Sequence, residues 1–367
     1  MRKTRRVNPS AADTMKCNIT TPCKYVKQYE AYLFPTIYSL VFIIGLLGNL
    51  LAVGVIVQQL RRKNVLAVYL INLCISDLVY IFTLPVWAAY TANREDWTFG
   101  VVACTVVGFF FNTNIYTTIV FLSCMAVDRF LALVFPLHAK GFRTMKAALV
   151  ICIVVWLIVM GSHTVLLTHP EFINDTHNVQ RCYEKYPMEQ WVADLNYFRI
   201  FVVFLIPLLL LLMSYCFVIR AVHRSTGLEV REKRRIMGLL LSMVLIFVVA
   251  YLPYHIILFI RSYLSSSGFC TCEWEERLRP AYRIAFTFTS ISSALDPIIN
   301  IFASDSIKQD LIREVVSVRK WVSDIWSRER FKSARKPFLK SVGDAAPTEM
   351  TQRNSIPLVE EGSSPIS

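Results

Sequence analysis

Seven stretches of this chain are so apolar and so poor in charge that each reads as a membrane-crossing helix: 32–59, 65–90, 101–135, 145–167, 197–222, 236–263 and 281–302. A spanning helix needs about 20 mostly apolar residues, and it pairs its own backbone groups because lipid offers no water to do so. The pattern predicts an all-α membrane protein, a seven-transmembrane helix bundle over 31–303 behind a polar extracellular N-tail, 1–30. Beyond it, 304–320 carries Ile307, Leu311, Ile312, Val315 and Val316 with Lys308, Arg313 and Arg319, the composition of a short amphipathic cytoplasmic helix lying on the inner leaflet. The remainder, 321–367, turns rich in Ser, Thr, Glu and Pro from Ser341 onward and reads as a disordered cytoplasmic tail.

Composition agrees with that reading. Of the 367 residues, 55% are hydrophobic and the mean hydropathy is +0.46, above the roughly 45–50% apolar share of soluble domains. The segment 1–27 is polar and basic, so no cleavable leader is expected and the first span serves as its own insertion signal. Orientation follows the short-loop Lys and Arg. Arg61, Arg62 and Lys63, then Lys140, Arg143 and Lys146, then Arg220, Arg224, Arg231, Lys233, Arg234 and Arg235 all fall on one side, which is assigned to the cytoplasm. The basic N-tail opposes this assignment, yet an odd number of spans still puts the two tails on opposite faces. The net charge of +13 is therefore a topology signal and not a nucleic-acid footprint. The sequons at Asn18 and Asn174 and the cysteines Cys17, Cys23, Cys104, Cys182, Cys270 and Cys272 lie on the expected outer side, where glycans attach and disulfides persist. Such a protein belongs in the plasma membrane.

Charges at membrane depth are costly and mark functional positions, which singles out Asp77, Asp128, Arg129 and Asp296. They belong to an ordered set: Asn49; Leu73 with Asp77; Asp128-Arg129-Phe130; Trp156; Pro207 and Tyr215; Pro253; and Asp296-Pro297, one group per span. The set resembles the rhodopsin-like G-protein-coupled receptors. A narrower resemblance is to the proton-sensing and lysolipid receptor group, carried by Thr83-Leu-Pro-Val-Trp87, Asn114-Ile-Tyr116, Pro253-Tyr-His255 and Glu275-Glu-Arg277. Asp-Arg-Phe, Thr226-Gly-Leu228 and Ala303-Ser-Asp305 look more like the branch described as an oxidised-fatty-acid receptor, whereas the second outer loop looks more like the stronger proton sensors.

The resemblance implies roles. Cys104 and Cys182 would form the loop-to-helix disulfide, leaving Cys17, Cys23, Cys270 and Cys272 to pair in one of three ways. Arg129, held by Asp128, would be released towards Tyr215 and a heterotrimeric G protein; a simple snorkelling pair is the bland alternative. Lys233 stands where many relatives carry an acid that clamps the arginine, Asn300 replaces the usual tyrosine, and Tyr251 replaces a tryptophan beside Pro253. Pro253 serves as a hinge or as a static bend. Asp77 and Asp296, with Asn49, Asn114 and Ser292 or Ser293, would share a proton or hold a sodium ion, since two neighbouring buried carboxylates cannot both carry charge cheaply; a neutral polar core is the alternative. No other cofactor or metal is expected. Arrestin and a receptor kinase are implied as partners of the tail.

Two signals compete for the role of agonist. His169, His255 and His163 sit on the outer half, and unperturbed histidine titrates near pH 6.5. Val159 stands where strong sensors carry a glutamate, so acid sensing is expected to be weak. Arg199, Arg261 and Arg283 could instead meet the carboxylate or phosphate of a lipid, with Tyr116, Phe109, Phe110, Tyr254 and Phe286 along an acyl tunnel. They could equally pair with Glu184, Glu189, Asp194, Glu275 or Glu276. A transporter is the alternative class, although no inverted repeat is visible. An enzyme is not expected, and span seven has no lysine for a retinal Schiff base.

Overall fold

Apolar runs of this length become helices that exceed their predicted bounds, because the backbone ladder continues past the lipid-facing residues. The computed structural model describes residues 29–169, 172–174, 179–183, 188–225, 227, 229–267 and 272–303, and within 312–323 only 312, 313, 315–317, 319–321 and 323. The spans are α1 (Glu30–Arg61), α2 (Leu66–Ala92), α3 (Gly100–Val134), α4 (Met145–Thr168), α5 (Gln190–Arg224), α6 (Val230–Ser266) and α7 (Cys272–Ala303). The first six are long and apolar enough to cross a membrane by length and composition. A two-turn helix, Pro136–Phe142, joins α3 to α4. A hairpin of β1 (Phe172–Asn174) and antiparallel β2 (Gln180–Cys182) lies between α4 and α5. Met1–Glu314 form one compact unit; of residues 315–367 only short helical stretches are described.

Buried polar groups and outward-facing apolar ones make this a bundle whose solvent is lipid. Ile44, Leu47, Leu157 and Ile158 are exposed, whereas Asn49, Asp77, Asn114 and Asp296 are buried. α3 runs through the middle, buried without interruption from Phe111 to Ile119. Prolines break the regularity at three places. Pro85 follows a turn at Phe82 and Thr83 inside α2, and the Thr83 hydroxyl donates to the Tyr80 carbonyl at 2.7 Å. In α5, π-helical turns at Arg199–Leu205 precede Pro207, and in α6 another at Phe247–Tyr251 precedes Pro253. A proline lacks the amide hydrogen and crowds the carbonyl four residues back, so the helix widens just before it.

Cys104 and Cys182 form a disulfide that ties β2 to the start of α3. The end of the bundle that carries it is called the disulfide end below, and the opposite one, with Asp128, the charge-pair end. Asn18, Cys17, Cys23 and Cys270 lie outside the described residues, as do the side chains of Asn174, Cys272 and Asn300. Most of the expected amphipathic helix lies outside them too.

Candidate functional site

At the charge-pair end, the buried Asp128 carboxylate accepts from two guanidinium groups. Arg129 donates through Nη2 at 2.6 Å and Nε at 3.2 Å, and Arg143 through Nε at 2.6 Å and Nη2 at 3.1 Å. The expected pair is there, with a partner that sequence reading had placed only among the loop cations. Arg143 caps the two-turn helix, so Asp128 also pins that helix to α3. Lys233 donates to the Ser225 carbonyl at 2.6 Å, in keeping with the absence of an acidic clamp at its position. Tyr215 is half-buried and packs against the core.

At mid-depth, Asn114 Nδ2 donates to Asp77 Oδ1 at 2.9 Å and to Ser76 Oγ at 3.2 Å, and Ser293 donates to Asn114 Oδ1 at 3.1 Å. Asn49 Nδ2 donates to the Gly45 and Ser293 carbonyls, each at 2.9 Å. Asp77 and Asp296 act on each other electrostatically. Among the described residues, Asp77 Oδ2, Asn49 Oδ1 and both oxygens of Asp296 are buried acceptors with no hydrogen-bond donor. That donor-poor oxygen set suits a shared proton or a small hard cation. Of the two neighbouring serines expected here, it is Ser293 that completes this network. A one-residue step turns a helical side chain by about 100°, and Ser292 instead meets the Tyr251 hydroxyl at 2.7 Å. Tyr251 thereby links the π turn beside Pro253 to α7 next to Asp296.

Towards the disulfide end lies a cavity of about 990 Å³, counting its open mouth. Arg199, Arg261, Arg283, Tyr254, Phe111 and Phe286 are on its wall. Phe109 and Phe110 are not among its lining residues and pack on each other, 5.5 Å between centroids. Tyr183 closes one side: its ring fills the notch left by Gly108, where any Cβ would overlap it.

The three arginines differ. Arg199, turned inward on the π-helical stretch, is buried under its neighbours. Its Nη1 donates to Asn196 Oδ1 at 3.2 Å and its guanidinium stands 5.6 Å from the Tyr116 ring centre, but among the described residues Nε and Nη2 have no acceptor. Arg261 lies 4.3 Å from the Tyr282 ring centre. Arg283 forms an ion pair with Glu95 at 2.9 Å. Glu95 was not among the carboxylates expected from the sequence to meet it, of which Glu184 and the side chain of Glu275 lie outside the described residues. Glu95, 1% exposed, also pairs with Arg181 at 3.3 Å and, more closely, with Arg279, which in turn reaches Glu30 at 3.8 Å. Arg94 and Glu95 both have positive φ, 54° and 62°, a conformation that side chains resist. The loop is held there by Trp97 N donating to the Gln180 carbonyl at 2.8 Å and Gln180 N donating to Asp96 Oδ1 at 3.1 Å. The overlooked signal was Arg279 and Arg283, four apart on one helix face and in need of an anion.

The histidines separate likewise. His255 Nδ1 lies 2.8 Å from the Tyr251 carbonyl and His163 Nδ1 2.8 Å from the Val159 carbonyl. A carbonyl only accepts, so Nδ1 carries the hydrogen in both rings and Nε2 is left as an unpartnered acceptor. The Arg199 guanidinium acts on both rings, so a proton added to either brings like charges together. His255 is stacked on Phe204 at 3.9 Å and His163 on Tyr116 at 5.3 Å. His169 is exposed and tilted against Trp191, 5.3 Å away, apart from that cluster.

A charge pair at one end, a buried carboxylate network in the middle and a cavity at the other end, threaded on seven helices, define a signalling receptor of the membrane and not a transporter. The model of the rhodopsin family of seven-transmembrane receptors matches residues 48–299, and the chain belongs to that family. It is 36% identical over 296 residues to human G-protein coupled receptor 68, covering 81% of this chain and 80% of the relative. Mouse lysophosphatidic acid receptor 6 is 32% identical over 308 residues, 81% of this chain and 88% of the relative. The protein described as probable G-protein coupled receptor 132, from human, is 32% identical over 289 residues, 78% and 74% of the two chains. One of these relatives is named for lysophosphatidic acid, in keeping with the receptor group that the motifs indicated. The chain is a multi-pass membrane receptor acting through heterotrimeric G proteins.

Proposed function

We propose that this receptor responds to a lipid with an anionic head group, with extracellular acid as a weaker second input, and that the response is exchange of nucleotide on a G protein. The observation that carries the reading is Arg199, a buried guanidinium on the wall of a cavity lined in part by aromatic rings, with two nitrogens that have no acceptor among the described residues. A buried charge is costly until paired, so a carboxylate or phosphate head group supplies what the site lacks. The relative named for lysophosphatidic acid supports the ligand class. Arg199→Ala is expected to abolish lipid-stimulated GDP release from a heterotrimer in nanodiscs, and Arg199→Lys to restore part of it. Full lipid response in Arg199→Ala sinks the reading.

The donor-poor oxygens of Asp77, Asp296 and Asn49 favour the acid input. A proton shared by Asp77 and Asp296 would displace a sodium ion held by the same oxygens. The histidine cluster around Arg199 adds repulsion when charged, and Val159, 1% exposed, offers no third carboxylate. A double Asp77→Asn, Asp296→Asn receptor should then lose the difference in GDP release between about pH 8 and about pH 6, the range that histidine also spans. The remaining parts of the reading follow from family membership: the plasma membrane as location, an extracellular N-terminus, a cytoplasmic C-terminus with the amphipathic helix 304–320 and tail 321–367, and capture of that tail by a receptor kinase and arrestin.

A further inference from the structure

Of the arginines on the cavity wall, Arg283 already faces a carboxylate, 2.9 Å away in Glu95. Glu95 belongs to neither the charge-pair end nor the mid-depth network. It is held in a left-handed turn, buried to 1%, among Arg181, Arg279 and Arg283. Two successive residues with positive φ are an unfavourable way to build a loop. Here they aim a carboxylate inward, behind the cavity wall. We propose that Glu95 is the residue that sets how much negative charge a bound head group carries, biasing the cavity towards a single charge and against a dianionic phosphate; this rests on the anionic-lipid reading above.

The physical argument is competition. A tethered carboxylate acts at high effective concentration, so a ligand oxygen does not displace it from Arg283 cheaply. Its negative charge also lies just beyond the guanidinium, in surroundings of low dielectric where repulsion is strong. A phosphate monoester dianion, with two negative charges, feels that repulsion about twice as strongly as a singly charged carboxylate does. Arg199, set on α5 across the cavity, remains for the first charge. Removing the Glu95 charge would release Arg283 to the cavity and favour the dianion selectively.

The test is equilibrium binding of two probes with the same acyl chain, oleate and 1-oleoyl lysophosphatidate, to the full-length receptor in nanodiscs. Wild type is expected to prefer oleate. Glu95→Gln should raise lysophosphatidate affinity relative to oleate by roughly tenfold, which corresponds to about 1.4 kcal/mol. Glu95→Asp should keep the wild-type ratio, and Glu95→Gln combined with Arg283→Gln should cancel the gain. Equal wild-type affinity for the two probes overturns the proposal without any variant, so poor folding of Glu95→Gln does not shelter it. An unchanged ratio in a folded Glu95→Gln receptor overturns it too, as does a shift produced by Glu189→Gln in its place. Failure of the underlying reading looks different: neither probe binds wild type at all, or Arg199→Ala binds both as wild type does.

Discussion

Asp128 shows how a single carboxylate divides its affinity. Two guanidiniums share it, each through two nitrogens at 2.6 to 3.2 Å, and whatever Arg143 takes is withdrawn from Arg129. Arg143→Ala should therefore leave Arg129 more tightly held and lower basal GDP release several-fold, with Arg143→Lys intermediate because an ammonium cannot bind in the two-nitrogen mode. Unchanged or raised basal release would show that Arg143 only positions the loop helix. The Asp128–Arg129 pair was legible in sequence because the two are adjacent. Arg143, 15 residues on, was not, since only the turn of the short helix brings it back. Glu95 was missed for the same reason: its partners lie 86 and 184 residues away.

At the level of elements, prolines locate the irregular turns and the structure gives them a shape. Pro253 predicted a bend in span six; the π turn over Phe247–Tyr251 is the form it takes, with Tyr251 bonded across to Ser292. If that turn is a hinge, Pro253→Ala restores a backbone donor, straightens α6 and lowers lipid-stimulated GDP release while raising thermal stability. Tyr251→Phe removes one buried hydrogen bond and should cost about 1 kcal/mol of stability. Equal stimulated release in Pro253→Ala and wild type would make the proline a static bend. Helix ends were the least legible feature. α5 begins at Gln190, seven residues before the expected 197, and α7 at Cys272, nine before the expected 281. Hydropathy marks where lipid contact stops, whereas the helix continues for as long as its polar side chains find partners.

For the whole molecule, the disulfide closes a separation of 78 residues and fixes β2 over the cavity, with Tyr183 next to it in the Gly108 notch. Replacing both Cys104 and Cys182 by serine should destabilise the receptor by roughly 2–5 kcal/mol, read as a lower Tm in detergent, and should weaken lipid binding because the roof of the cavity loosens. Retained affinity at a lowered Tm would separate stability from ligand recognition.

The sequence by itself determined the class of this protein: seven apolar runs admit only a helix bundle in lipid, and an ordered set of polar residues at membrane depth marks the switch. It also singled out Asp77, Asp128, Arg129 and Asp296 within the spans and the arginines Arg199, Arg261 and Arg283 as candidates, since a charged residue in such surroundings stands out without any coordinates, whereas Glu95, in a loop, did not. Only the tertiary structure decided their pairings. Which of Ser292 and Ser293 joins Asn114, which cavity arginine has a carboxylate and which lacks one, and which second cation meets Asp128 all depend on helix rotation and loop return. Hydrophobic periodicity is blind to both, because on the inner faces of a bundle bathed in lipid every side chain is buried whatever it touches.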